Sequence, residues 1–153
     1  VNVWDGHNVE MIWQSADFNS APVWSADGRL AFTSYEQSSM TVYVWDGIAV
    51  TAVSRRAVFD GNPVWSADGR LAFTGETDLN TEIYVWDGQE LTNVSQSPFS
   101  DVSPRWSEDG RLAFISDRDG SRDIYVWDGA SLTNLTNSPD TDEYKPAWWA
   151  PPQ

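Results

Sequence analysis

Seven carboxylates fall in the stretches of this chain that differ most from one another: Glu36, Glu76, Asp78, Glu82, Asp117, Asp119 and Asp123. Carboxylates gathered in short loops can hold a hard cation, attract basic groups on a protein or peptide, or, as a suitably spaced pair, cleave a glycosidic bond. The run Asp117-Arg118-Asp119-Gly120-Ser121-Arg122-Asp123 is the densest of these loops. It fits calcium poorly: an EF-hand loop needs glycine where Arg122 stands, and two arginines sit among the acids. No metal site is therefore expected. Loop carboxylates are numerous enough for some pair to lie close by chance, so a glycosidase dyad has little to recommend it. The only histidine, His7, follows Trp4-Asp5-Gly6 in a turn, which leaves no base for a Ser-His-Asp triad, and the chain has no cysteine. The expectation is a protein without catalytic residues or cofactor, whose acidic loops form a ligand-binding face for a basic protein or peptide.

The elements that position these loops are written repeatedly. Val-Trp-Asp-Gly stands at Val3–Gly6, Val44–Gly47, Val85–Gly88 and Val126–Gly129, a constant step of 41 residues. Pro63-Val64-Trp65-Ser66-Ala67-Asp68-Gly69-Arg70-Leu71-Ala72-Phe73 recurs unchanged at Pro22–Phe32 and with two substitutions at Pro104–Phe114. A fixed period of this size marks a stack of repeated units. Within each unit the apolar runs are short and β-branched or aromatic, and are bounded by Asp-Gly turns that need positive φ. Each unit therefore reads as four antiparallel strands, A to D. In the second unit A is about Pro63 to Ser66, B Arg70 to Thr74, C Glu82 to Trp86 and D Leu91 to Ser95.

On this pattern residues 1–21 carry only strands C and D, units span 22–62, 63–103 and 104–145, and 146–153 begins another strand A. The chain reads as a segment of a longer or processed product. Seven of its ten tryptophans lie in the repeated phrases, so they are expected in the core. Phe18, Phe59, Phe99 and Tyr144 precede the Pro-x-Trp phrases or the final proline and are expected to plug the seams between units. The sequons at Asn93 and Asn134 fall in strand D and read as accidents of composition. With 23 acidic against 9 basic residues the formal charge is −14, which disfavours nucleic acid and anionic membranes as partners. No apolar run reaches the roughly 18 residues of a membrane helix, so membrane insertion is not expected.

Proline, one residue, Trp-Ser, one residue, Asp-Gly, then Leu-Ala-Phe and Ile-Tyr-Val strands resemble the TolB-type, WD-like β-propeller repeat. The Trp-Asp-Gly after strand C departs from the common pattern. The resemblance implies an all-β propeller of four-stranded blades. It also implies a role as an interaction platform in the bacterial envelope or as a regulatory domain of an enzyme. Complementary partial units at the two ends lead to the expectation of self-association, two chains forming a ring of about eight blades. Alternatives are a substrate-gating propeller segment of a larger hydrolase, or a recently amplified architectural repeat with no ligand.

Overall fold

The structure, a computed structural model, describes residues 1–15, 17–36, 38–54, 59–76 and 80–149. The described residues contain fourteen strands and no helix, hence no helix long and apolar enough to cross a membrane. A head hairpin, β1 (Asn2–Trp4) and β2 (Val9–Met11), is followed by three four-stranded blades. The first blade is β3 (Phe18–Trp24), β4 (Leu30–Glu36), β5 (Ser39–Trp45) and β6 (Val50–Ala52). The second is β7 (Phe59–Trp65), β8 (Leu71–Glu76), β9 (Thr81–Trp86) and β10 (Leu91–Asn93). The third is β11 (Asp101–Trp106), β12 (Leu112–Ser116), β13 (Asp123–Trp127) and β14 (Leu132–Asn134). Within a blade each strand pairs antiparallel with the next, so these are the A, B, C and D strands of the repeat.

The turns form where the sequence supplies their chemistry. Between A and B, Ser66 N–H donates to the Arg70 carbonyl at 2.9 Å and Gly69 adopts φ 86°, a conformation that costs a side chain strain and glycine almost nothing. Between C and D, the Asp87 carboxylate accepts the backbone N–H groups of Gln89 and Glu90 at 2.8 and 2.7 Å. These two bonds hold its carboxyl below the ordinary 3.8, because they favour the charged form.

Strand A is longer than the sequence reading placed it, running from Phe59 rather than Pro63. Register shifts between Ser20 and Val23, Gly61 and Val64, and Val102 and Arg105 mark a bulge just before each Trp. The residue before each proline has positive φ there: Ala21 at 53°, Asn62 at 53° and Ser103 at 60°. A bulge on an end strand accommodates a proline, which has no N–H to give the ladder.

The core lies between blades. One cluster joins Ala31, Val42 and Val44 of the first blade to Leu71 and Phe73 of the second, and another joins Ala72, Ile83 and Val85 of the second to Leu112, Phe114 and Tyr125 of the third. Phe32, Phe73 and Phe114 are fully buried and stack on Tyr43, Tyr84 and Tyr125 with centroids 5.6, 5.9 and 6.1 Å apart. Removing apolar area of this kind from water is the main favourable contribution to such a stack, roughly 1.5–3 kcal/mol per large side chain.

The aromatics expected to plug the seams are exposed where they are described, and the Phe59 side chain lies outside the described residues. Phe18 is 49% exposed and stacks on Tyr35 opposite it in its own blade, at 5.3 Å. Phe99 and Tyr144 are also exposed. The early start of strand A accounts for Phe18: it belongs to the strand, paired with Tyr35, rather than to the loop before it. No strand forms at residues 141–149, where the sequence reading began another strand A. Trp148 nevertheless takes the place of a blade tryptophan, its indole N–H donating to the Arg105 carbonyl at 2.9 Å.

Candidate functional site

The seven candidate carboxylates have different fates. Glu36 and Glu76 stand at the ends of β4 and β8, Glu76 exposed and Glu36 half-buried, its carboxylate accepting from the Ser34 hydroxyl at 3.4 Å. Burial and the nearby Glu36 charge push the Tyr43 hydroxyl up. Asp78 lies outside the described residues.

Glu82 and Asp123 occupy the same repeat position and are buried, at 7% and 1% exposure. Glu82 accepts the Ser95 hydroxyl at 2.5 Å, the Asn80 amide at 3.0 Å and the Ser97 backbone N–H at 3.2 Å. Asp123 accepts the Ser138 N–H at 2.8 Å, the Asn134 amide at 2.9 Å and the Thr136 hydroxyl at 3.1 Å. These bonds, the Ser138 N–H foremost, hold the Asp123 carboxyl below its ordinary value. Each carboxylate thus fastens the segment leaving strand D to strand C of its own blade.

The dense acidic loop is similarly occupied. Asp117 accepts the Ser100 N–H at 2.8 Å; Asp119 accepts the Tyr125 hydroxyl and, at 3.0 Å, the Asn134 amide. Those two bonds, the tyrosine first, hold the Asp119 carboxyl down. Arg118 turns inward to the fully buried Asp101 at 3.1 Å and lies 4.7 Å from the Tyr125 ring centre. Burial raises the Asp101 carboxyl, against the hydrogen bonds and the Arg118 charge that lower it. The Asn134 amide brings Asp119 and Asp123 together while Asp117 turns to Ser100, and protein donors occupy all three carboxylates. Among the described residues no group of three His, Cys, Asp or Glu is placed to hold a metal ion.

The seams between blades hold groups that the sequence reading passed over. Arg29, Arg70 and Arg111 each follow an Asp-Gly turn and form an ion pair with the aspartate two residues earlier, at 2.8, 2.9 and 2.9 Å. The guanidinium then crosses the seam. Arg29 lies 4.6 Å from the Trp65 ring centre and 6.0 Å from Trp86, and donates to the Gly69 carbonyl at 2.8 Å. Arg70 repeats the arrangement at 4.5 Å from Trp106, 5.9 Å from Trp127 and 2.9 Å from the Gly110 carbonyl. In return, Trp65 donates its indole N–H to the Val23 carbonyl at 3.1 Å and Trp106 donates to Val64 at 3.2 Å. Arg111 lies over Trp148 at 4.9 Å. Stacked on a ring, a guanidinium gains from its negative face while its fork of N–H groups still donates. The signal for this set was its recurrence at the repeat period.

One side of the first blade is open. Between β1 and β3 lies a cleft of about 610 Å³ lined by Val3, Trp4, Phe18, Pro22 and Trp24, among others. Trp24 is 54% exposed and Trp4 69%. The chemistry this edge offers is strand pairing, apolar contact and an uncovered indole pair, Trp24 and Trp45, with centroids 6.2 Å apart.

Repeated four-stranded antiparallel blades, packed face to face through apolar cores, define a β-propeller segment. The family model for the TolB beta propeller domain matches residues 1–151, and the chain belongs to that family. Among solved structures it is similar to TolB from Acinetobacter baumannii, at 26% identity and a TM-score of 0.64, over 86% of this chain and 35% of that one. The β-propeller domain of the Trilobed protease from Pyrococcus furiosus matches at 21% identity and TM-score 0.67, over 94% and 45%. Pyrococcus horikoshii acylaminoacyl peptidase matches at 19% and 0.65, over 91% and 23%. The last two are likenesses of fold alone. The chain spans less than half the length of each of these three proteins. A search of curated proteins finds no match.

Proposed function

We propose that this propeller segment is a non-catalytic scaffold that binds protein through its open blade edge and completes a ring by self-association, two copies giving about eight blades. The observation that carries the reading is the head edge, where Trp4 and Trp24 line the cleft and Val9 and Met11 stand on the strand paired with β1, all four more than half exposed. A contiguous exposed apolar patch of this kind is characteristic of a surface that another protein covers. Membership of a family of propeller domains supports a scaffolding role. His7 is exposed, with its backbone N–H held by Asp5 at 2.7 Å, which supports reading it as a turn residue. A basic protein or peptide is the expected further ligand, with the exposed Glu76 and the half-buried Glu36 its first contacts, since the other described candidates are held by several protein donors or the loop's own bonds.

Sedimentation velocity across a concentration series tests the self-association. The expected result is a species of twice the chain mass that dissociates on dilution; a compact monomer at every concentration refutes it. Neutralising Glu36 and Glu76 tests the acidic contact separately, and unchanged capture of a basic peptide removes that face from the function.

A further inference from the structure

We propose that Asp101 and Arg118 form an acid-operated latch on the seam between the second and third blades. While Asp101 is charged, the arginine is drawn inward and spans the seam. When Asp101 takes up a proton, the arginine is released onto the surface of the acidic loop.

The latch joins groups from both blades. Arg118, in the loop between β12 and β13, donates through Nη2 to Asp101 Oδ1 on β11 and to the Ser95 carbonyl of the second blade, both at 3.1 Å. Its Nε donates to the Ser116 hydroxyl at 2.8 Å, and its plane lies 4.7 Å from the Tyr125 ring centre. The guanidinium thus ties the third blade to the segment leaving strand D of the second. Its side chain is 20% exposed, so it sits at the margin of the interior, one rotation from solvent.

Asp101 has no such exit. It is fully buried, and among the described residues its second oxygen, Oδ2, has no hydrogen-bond partner. A buried charge with one oxygen unsatisfied costs more than a neutral carboxyl in the same place. The second blade carries a matching group, since Thr74 Oγ1 is also buried without a partner. Thr74 stands opposite Ile83 in the β8–β9 ladder, so the two side chains leave the same face of the sheet. Ile83 packs with Leu112 and Phe114 of the third blade. The Thr74 hydroxyl therefore faces the third blade, as Asp101 faces the second. One proton completes both atoms: a protonated Asp101 donates from Oδ2, and Thr74 accepts. Burial, which raises the Asp101 carboxyl above the ordinary 3.8, acts in the same direction.

The charges around Asp101 are unevenly matched. Asp117 accepts the N–H of the neighbouring Ser100, Glu82 of β9 accepts the Ser95 hydroxyl, and Asp119 accepts from Tyr125 of β13 beneath the guanidinium. All three carboxylates repel a charge on Asp101. Arg122 is turned away to Tyr144, which leaves Arg118 as the cation set against them among the described residues.

The first blade supplies a natural comparison. Counting from each proline, Asn19 stands where Asp101 does and Glu36 where Arg118 does. Neither half of the latch is present there, and the tyrosine of that blade, Tyr43, has the Glu36 carboxylate near it instead. In the second blade the corresponding side chains, Asp60 and Thr77, lie outside the described residues.

Protonation leaves Arg118 without its anion, and a carbonyl and a hydroxyl alone hold so flexible a side chain weakly. Turned outward, it joins Asp117 and Asp119 and offsets part of their charge. The loop is therefore strongly anionic above the transition and less so below it. The blade stays folded throughout, because a group whose folded value lies above its unfolded one binds its proton more readily in the folded chain.

The test is a titration of the full chain, labelled with carbon-13 and nitrogen-15, from about pH 8 to about pH 4. The Asp101 carboxyl carbon, assigned by its loss in Asp101→Asn, is expected to titrate above 3.8, and the Arg118 Nε–H to lose its protection from exchange in the same step. Asp101→Asn should leave Arg118 unprotected at every pH, with the Trp65 and Trp106 indole signals showing that the blades remain joined. Arg118→Ala gives an independent reading in denaturant. Its midpoint should fall below the parent's at about pH 7, where Asp101 is charged without a cation, and rejoin it at about pH 4. The inference is overturned if Asp101 titrates at or below 3.8 or not at all in this range. It is equally overturned if Arg118 stays protected as Asp101 titrates or in Asp101→Asn, or if the Arg118→Ala deficit is the same at both pH values. Should Asp101→Asn fail to fold, the parent titration and Arg118→Ala still decide.

Discussion

Replacing Arg70 by glutamine should weaken the second seam by about 2–3 kcal/mol. Arg70 is only 23% exposed, stacks on Trp106 at 4.5 Å, and donates to the Gly110 carbonyl at 2.9 Å. A partly desolvated cation–π contact contributes about 1 kcal/mol. A hydrogen bond from a charged donor contributes about 1.5–3 kcal/mol, which we take at its lower end because the group is not fully buried. The ion pair to Asp68, whose side chain is 56% exposed, adds little, because water screens such pairs. For a chain of this size each kcal/mol lowers Tm by about 2–4 °C, so the expected fall is roughly 5–10 °C. Arg70→Lys should lie between, since the ammonium keeps the charge but loses the stacked plane and the sideways donor. Near-ultraviolet circular dichroism is a suitable probe because Trp106 and Trp127 report on this seam directly. A Tm for Arg70→Gln within 1 °C of the parent would refute the assignment of seam stability to this guanidinium.

The turn glycines supply a second measurement. Gly110→Ala should be the more damaging of two similar changes, because its φ of 83° strains alanine and the new methyl meets Arg70 at 2.8 Å, whereas Gly28→Ala at φ 87° brings strain alone. Strain of this kind is about 1–2 kcal/mol, so denaturant midpoints should fall for both and further for Gly110→Ala; equal falls would count against the crowding. Acid should weaken the chain slightly in a defined window, since the pairs concerned are exposed and screened by water. Hydrogen bonds first from Arg29 and Arg111 lower the Asp27 and Asp109 carboxyls from 3.8 to about 2, so their stabilisation is complete above pH 4 and is lost as pH falls towards 2. Asp101, raised by burial, has the opposite sign, its contribution being greatest at low pH and lost as pH rises through its folded value. Substituting both Asp27 and Asp109 by asparagine should flatten the acid limb of the stability curve, and an unchanged limb would assign it elsewhere. Asp123→Ala should lower Tm by leaving the half-buried Ser138 N–H and Thr136 hydroxyl without their acceptor, whereas chelators should leave Tm unchanged; a Tm raised by added calcium would mean that the carboxylates serve a cation after all.

The blade was legible because each local cue agreed with its neighbours: aromatic and β-branched strands, and Asp-Gly turns at a constant period. Strand A was misplaced because a proline ordinarily ends a strand, and nothing local announces that Ala21, Asn62 and Ser103 bend with positive φ to admit it. The acidic loops were read as surface because carboxylates usually are. Glu82 and Asp123 are exceptions whose only sign was their shared position, with Ser95 and Thr136 thirteen residues on. The seam arginines were least legible, since each acts on a ring some 36 residues later in the chain, a distance that only stacking of the blades closes. Phe18 failed as a seam residue for the same reason in reverse: its partner, Tyr35, is the nearer one, across its own hairpin.

The seam arrangement also bears on how such a chain can change over generations. Every complete blade carries a plug, its turn arginine, on one side and a socket, its tryptophan pair, on the other. A duplicated blade therefore arrives with fitting neighbours in both directions, and a deleted one leaves the blades on either side able to join. Gaining or losing a whole blade demands no new contact, while changing one arginine or one tryptophan breaks a joint that the next blade cannot repair.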